Sequence, residues 1–321
     1  MRKADEELPE NLFIILSGPT GTGKSSIAVE LAKLIPSEII NADSRQFYIE
    51  ISKGTAKPSE EALKIVPHHL YSFLSLKESF TVFDFREILE KLVPQIWKRK
   101  KAVILVGGSG LYIRALLKGI FDFPEEKKNM QKEIRKKFCD QETEKLYEKL
   151  KEIDPACASK IHPNDRVRIT RALEVWLVSG IPMSQWQKKA QPASFIKDAK
   201  VVYWILNMDR GKLYNILDLR TEKMLESGWV EEVKEIIESG LSGHLKEKAP
   251  IGYIELCDFH QGRKNWKETV EIIKRKTRNY ARRQITWFRK ENGAEWIDIS
   301  DIPPADAAQL LFRKLMETVR D

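Results

Sequence analysis

Nowhere in the 321 residues do apolar side chains run for the roughly 20 positions needed to cross a bilayer. The first ten residues carry Asp5, Glu6 and Glu7 where a secretory leader would have an apolar stretch. The expectation is a protein that stays where it is made, with no membrane contact. Cysteine is scarce: Cys139, Cys157 and Cys257 are odd in number, widely separated and without Cys-x-x-Cys spacing. Neither a disulfide framework nor a structural zinc site is indicated, and a reducing cytoplasm fits. His68, His69 and His162 show no metal-ligand spacing and read as loop or packing residues. There is no internal repeat and no low-complexity tract.

What is present is an ordinary globular composition, 42% hydrophobic and 32% charged, long enough for two compact units or one domain with an insertion. The net charge of +8 is unevenly placed. Between Arg263 and Lys290 stand eleven Lys or Arg against only Glu268 and Glu271, so the rest of the chain is close to neutral. Such concentration points to a polyanionic partner. Taken alone, a basic amphipathic helix also fits a solvated surface or a membrane surface.

Leu12 to Ser17 is a continuous apolar run, the pattern of a strand buried on both faces. It enters a glycine-rich loop, after which Ile27, Leu31 and Leu34 recur at helical spacing until Pro36. Further strands are predicted at Glu38–Ala42, Ala102–Val106 and Val201–Leu206. Helices are predicted at Ser79–Lys100, kinked by Pro94, and at Asp165–Ser179, Lys212–Ser227, Val230–Ser239 and Trp266–Glu291. From Pro124 to about Gln191 strand character disappears in favour of charged helical patterns over residues 127–138 and 143–153. The predicted class is α/β, a phosphate-loop parallel-sheet core covered by helices, with a helical insertion domain. The divisions are 1–123 for the first part of the core, 124–198 for the insertion, and 199–321 for the return, with the basic helix and a C-terminal strand and helix.

The loop Gly18-Pro19-Thr20-Gly21-Thr22-Gly23-Lys24-Ser25 matches G-x4-G-K-[ST] between a strand and a helix, the context that pattern requires. Backbone N–H groups and the helix N-terminus receive phosphate oxygens, Lys24 supplies a cation, and the Ser25 hydroxyl is a ligand for magnesium (Mg²⁺). The loop alone leaves open whether it holds a nucleoside triphosphate or another diphosphate. Phosphate-loop NTPases commonly hold their metal through an Asp at a strand end, whereas Val103–Val106 ends in Gly107-Gly108. Asp43, after the second strand, is either a general base or a loop-capping carboxylate.

Seven motifs in order, GPTGTGKSS, NADSRQFY, GTAKP, VGGSGLY, IHPNDRVRITRALEV, IGY and RRQITWFR, together resemble the tRNA dimethylallyltransferase family from about residue 12 to residue 290. The resemblance implies transfer of the dimethylallyl group of dimethylallyl diphosphate to N6 of adenosine 37 in the tRNA anticodon stem-loop, with Mg²⁺. By the same resemblance Thr20 and the backbone of Gly21 to Ser25 meet the diphosphate, Ser25 meets the metal, Asp43 takes the N6 proton, and Arg220 grips the diphosphate. Implied tRNA contacts are Asp43, Ser44, Arg45 and Gln46, then Ser109, then Val167, Arg168, Ile169, Thr170 and Arg171, then Pro250, Ile251, Gly252 and Tyr253. The basic helix contributes Arg275, Arg278, Arg282 and Arg283, with Arg289 on the same face and Ile273, Thr277, Tyr280 and Trp287 or Phe288 packed on the sheet.

The family pattern also implies a monomer with no protein partner. Ser25, Ser109 and Thr22 exchange one hydroxyl residue for another, and Ile216 stands where many members carry an arginine. The end at Asp321 without a Cys/His pair is expected of the bacterial type. Competing readings are an isopentenyltransferase acting on free AMP or ADP, a small phosphate-loop kinase, and a non-catalytic RNA-binding module.

Overall fold

The computed structural model describes residues 8–120, 134, 137–248 and 250–320; the acidic residues 5–7 and most of the charged pattern at 127–138 lie outside the described residues. In chain order the core elements begin with β1 (Leu12–Ser17), α1 (Lys24–Ala32), β2 (Ser37–Asn41), α2 (Glu60–Ile65), β3 (His68–His69), α3 (Val82–Lys98), β4 (Ala102–Gly107) and α4 (Gly110–Leu117). Next come α5 (Thr143–Ile153), α6 (Pro155–Ala158), α7 (Arg166–Ser179) and α8 (Met183–Lys189). The chain continues with β5 (Lys200–Asn207), α9 (Arg210–Met224), α10 (Val230–Glu238), α11 (Ser242–Lys248), α12 (Tyr253–His260), α13 (Trp266–Phe288), β6 (Glu295–Asp298) and α14 (Pro304–Arg320).

All six strands are parallel in the order β3-β2-β4-β1-β5-β6. Every residue of β1 is buried because both faces of the sheet are covered. Leu12, Ile14 and Leu16 pack with Ile27 and Leu31 of α1 and with Ala307, Leu311 and Leu315 of α14. On the other face Phe13 meets Phe195 at 5.3 Å between ring centroids. At this sheet's carboxyl edge the ends of β1, β2 and β4 bring together the Gly18 loop, Asp43 and Gly107-Gly108, where open α/β sheets bind ligands.

Several predicted boundaries shift for identifiable reasons. The helix expected from Ser79 starts at Val82 because Thr81 and Asp84 close a capping box, with Thr81 N donating to Asp84 Oδ2 at 2.6 Å. Pro94 lies inside that helix without ending it. The helix expected over Lys212–Ser227 starts earlier, where the Asp209 side chain accepts from Lys212 N at 3.0 Å. It passes into a wider turn at Leu225–Trp229, broken at Gly228 with φ 97°. The two-residue β3 is too short to announce itself in the sequence.

The chain divides into two compact units, residues 1–113 with 194–321, and residues 114–193. The second covers most of the expected insertion, with its edges displaced from 124 and 198. Its core gathers Leu146 and Leu150 of α5 with Ile169, Leu173 and Val178 of α7. Buried Asp154 is satisfied there by Cys157 N at 3.0 Å and Ser184 N at 2.8 Å.

Candidate active site

The phosphate loop is shaped by its glycines. Gly18 has φ 140°, and a Cβ there would lie 2.3 Å from the carbonyl oxygen of Leu206 on β5. Gly23, in the left-handed region at φ 71°, turns the chain into α1. Pro19 O accepts from Thr22 Oγ1 at 2.9 Å and from Lys24 Nζ at 2.7 Å. Burial lowers the Lys24 pKa to about 7; nearby Asp43 opposes that fall and Arg220 adds to it. Arg220, projecting from α9, donates through Nη1 to Thr20 Oγ1 at 3.3 Å. Burial holds Arg220 below the usual guanidinium value, against the pull of Asp43.

Asp43 sits in a fixed turn. Buried Asn41 accepts from Asp43 N at 2.8 Å through Oδ1, while its Nδ2 donates to Leu70 O at 2.9 Å and Asp43 O at 3.1 Å. Asp43 Oδ1 then accepts from Arg45 N at 3.0 Å. The capping role left open by the sequence is therefore filled by one oxygen. Asp43 Oδ2 makes no hydrogen bond among the described residues, and the side chain lines a cavity of about 870 Å³ together with Thr20, Lys24, Ser25 and Arg220. That volume accommodates a small diphosphate ester and a nucleobase.

The GTAKP segment forms one cavity wall, and side chains both near and remote in sequence tie it down. Gln46 Nε2 donates to Thr55 O at 2.9 Å and Ala56 O at 3.0 Å. Glu232 on α10 accepts from Ser52 N and Lys53 N, each at 3.0 Å, and from the Tyr253 hydroxyl at 2.6 Å. The indole of Trp229 lies so close to Gly54 and Gly252 that a Cβ on either would meet it at 2.1 Å. The glycines of GTAKP and IGY are thus the two sides of one slot. Neither Glu232 nor Trp229 belongs to any of the seven motifs. Lys57 lines the same cavity, and burial depresses its pKa to about 8.

Helix α13 has two faces. Thr277, Tyr280 and Arg283 line the cavity, and Ala281 packs with Leu213 and Leu217 of α9. The helix seats on α9, α12 and the loop after β4, which corrects the expectation that its apolar side rests on the sheet. Its charge is also partly neutralised. Lys274 pairs with Glu222 at 2.6 Å, Lys276 with Glu255 at 2.5 Å, and Arg278 with Asp218 at 2.5 Å. Arg278 therefore leaves the expected open row, whereas Arg275, Arg282 and Arg289 remain exposed at seven-residue intervals.

Of the remaining expected tRNA contacts, Pro250 and Ile251 line the cavity beside Ser44, Arg45 and Gln46. Ser109 accepts from Ser44 N at 3.3 Å. Gly252 and Tyr253 are buried, Tyr253 completely, so this pair serves as scaffold rather than as exposed contacts. In the second unit Val167 is 78% exposed. Arg168 is exposed too, paired with Asp165 at 3.2 Å. Ile169 is a core residue, contrary to expectation, because its helical position faces Leu173 and Leu150. Thr170 Oγ1 turns back to Arg166 O at 2.8 Å, and Arg171 pairs with buried Glu174 at 3.3 Å.

Among the described residues no group of three or more His, Cys, Asp or Glu side chains is arranged to hold a metal. Oxygen donors line the cavity, the Ser25 hydroxyl at the start of α1 among them. This oxygen-only set fits Mg²⁺, which keeps much of its coordination for water and substrate phosphates.

Sheet order, glycine loop and cavity define a phosphate-loop α/β protein that faces a carboxylate rather than a metal-binding strand end. The family model described as IPP transferase matches residues 46–291, and the chain belongs to that family. It is 45% identical over 285 residues to tRNA dimethylallyltransferase 1 of Citrifermentans bemidjiense, covering 89% of this chain and 91% of that one. Against tRNA dimethylallyltransferase of Fervidobacterium nodosum the identity is 41%, covering 89% and 90%. The solved full-length tRNA isopentenylpyrophosphate transferase from Bacillus halodurans superposes with TM-score 0.68 at 31% identity, over 97% of this chain and 98% of that chain. A eukaryotic dimethylallyltransferase acting on tRNA gives 0.77 at 25% identity, over 94% and 78%.

Proposed function

We infer that this protein transfers the dimethylallyl group of dimethylallyl diphosphate to N6 of adenosine 37 in tRNA and releases diphosphate. The observation that carries the reading is the shared cavity: the phosphate loop, Lys24 and Arg220 face Asp43 across one space. Adenine's amino group is a weak nucleophile, and the allylic C1–O bond breaks only as charge on the leaving diphosphate is neutralised. Lys24, Arg220, the Thr20 hydroxyl and the loop amides supply that neutralisation. The N6–C1 bond forms as Asp43 Oδ2 accepts the N6 proton. Mg²⁺, held by Ser25 and the diphosphate, would add further positive charge to the leaving group. The base must leave its stack to reach the cavity, at a cost of about a few kcal/mol. The arginine row on α13 then serves the RNA backbone.

The protein acts as a monomer in the cytoplasm in this reading, where tRNA is met; sedimentation with and without tRNA tests the monomer. The decisive assay uses labelled dimethylallyl diphosphate with either tRNA or AMP. Label recovered in N6-substituted adenosine from tRNA is the expected result. Label entering AMP and not tRNA overturns it.

A further inference from the structure

One side chain ties α13 to the phosphate loop. Gln284 is 5% exposed. Its Nε2 donates to Gly108 O at 2.9 Å and its Oε1 accepts from Thr20 N at 2.8 Å, so a single amide spans the loops that follow β1 and β4. The fit is close. A Cβ on Gly108 would lie 2.2 Å from Gln284 Nε2, and one on Gly110 would lie 2.1 Å from the Trp287 indole nitrogen. Gly108 and Gly110 are therefore required by the helix pressed onto them, whereas Gly107 is required by the Ala42 backbone, 2.3 Å from where its Cβ would lie. Ser109, between Gly108 and Gly110, holds Ser44 N beside Asp43.

Two consequences follow for the donor site. With its N–H committed to Gln284, Thr20 meets the diphosphate through its hydroxyl, the group to which Arg220 donates. The placement of that hydroxyl is then set from α13. An aliphatic side chain at 284 would orphan a buried donor and a buried acceptor, and a carboxylate would turn a lone pair toward the Gly108 carbonyl.

We propose that Gln284 is a positioning residue for the diphosphate: anchored on α13, it fixes Thr20 and through it the Arg220 contact, so the donor site is fully formed only when that helix is seated. The proposal rests on the transfer reading above and adds that one helix serves both substrates, the donor through its inner face and RNA through its outer one.

The test compares Gln284→Leu and Gln284→Glu with the parent. Magnesium diphosphate binding is followed by titration calorimetry, tRNA binding by filter retention, and transfer by steady-state kinetics at saturating tRNA. Gln284→Leu is expected to lose about tenfold or more in diphosphate affinity and in donor kcat/KM, with tRNA affinity within about twofold. For Gln284→Glu, activity relative to the parent is expected to rise as pH falls from about 8 to 6. A protonated carboxyl can both donate to Gly108 O and accept from Thr20 N, as the amide does, whereas the ionised form cannot donate.

Parental diphosphate affinity in both variants overturns the proposal, and so does a pH-independent ratio. An equal fall in diphosphate and tRNA affinity also overturns it, because a purely structural role predicts that. If Gln284→Leu does not fold, the Gln284→Glu ratio decides. The calorimetric arm needs no turnover, so a parent that binds magnesium diphosphate but transfers nothing refutes the function while still testing Gln284.

Discussion

Lys24 and Arg220 line one cavity with Asp43, the carboxylate that acts on both of them, and burial lowers both of their pKa values. Arg275, Arg282 and Arg289 stand exposed on the far face of α13 with no carboxylate partner among the described residues. The same type of charge thus does two kinds of work. A buried cation acts at short range on one group and is little screened, because salt does not enter its surroundings. An exposed arginine acts at long range on a polyanion and weakens steadily with ionic strength. Separate experiments should therefore move one set without the other.

The largest separation is expected from Asp43→Asn. Loss of the base should lower single-turnover transfer by about 10²- to 10⁴-fold, while tRNA affinity at fixed salt stays within about threefold. A parallel collapse of both quantities would mean that Asp43 holds the RNA-binding surface together instead of taking a proton.

Next in size is a pH effect at Lys24. Its ammonium has a pKa of about 7 in the free protein, and an arriving diphosphate favours the charged form and raises that value. At pH 8 the group is largely neutral before binding, so diphosphate binding draws in a proton. Affinity should then fall about tenfold per pH unit above 7. Below pH 7 Lys24 is already charged and contributes no uptake. Calorimetry in buffers of different ionisation enthalpy measures the proton directly, and Lys24→Met should abolish this part of it. Unchanged uptake in that variant would place the titrating group elsewhere.

On the outer face, the triple change Arg275→Ala, Arg282→Ala and Arg289→Ala should reduce the slope of log affinity for tRNA against log salt by about one unit for each phosphate that is no longer neutralised. Diphosphate affinity should stay put. Arg283 is left out because it lines the cavity and sits 5.8 Å from the Tyr280 ring. A slope equal to the parent's would remove RNA from this face.

The contrast between the two regions also governs what the sequence discloses. The phosphate loop is legible because G-x4-G-K-[ST] compresses strand end, turn and helix start into eight consecutive residues, and the apolar run of Leu12–Ser17 supplies its context. Asp43 is legible as a candidate only, since one side chain both caps Arg45 N and lines the cavity. The arginine row is overcounted by sequence, because Asp218, Glu222 and Glu255, which neutralise Arg278, Lys274 and Lys276, approach from other helices. Gln284, Glu232 and Trp229 are missed for a related reason. Each reaches a backbone segment more than 150 residues away, and the trace left in the sequence is a glycine at the other end of the contact, in GTAKP or VGGSG, with the IGY glycine on the second side of Trp229.

The smallest effect separates counted charge from available charge. Arg278 and Asp218 are both partly buried and meet at 2.5–2.6 Å through both carboxylate oxygens. Arg278→Gln should then leave the salt slope of tRNA binding as in the parent and cost no more than about 1 kcal/mol of stability, the range for a partly exposed pair. Asp218→Asn should do the reverse: with its partner neutral, Arg278 joins the cationic face, and the slope steepens by up to about one unit. Both slopes come from the same filter-binding series between about 50 and 200 mM salt. A shallower slope in Arg278→Gln would show that the guanidinium exchanges Asp218 for a phosphate when RNA arrives. The ion pair would then hold Arg278 ready for RNA rather than withdraw it.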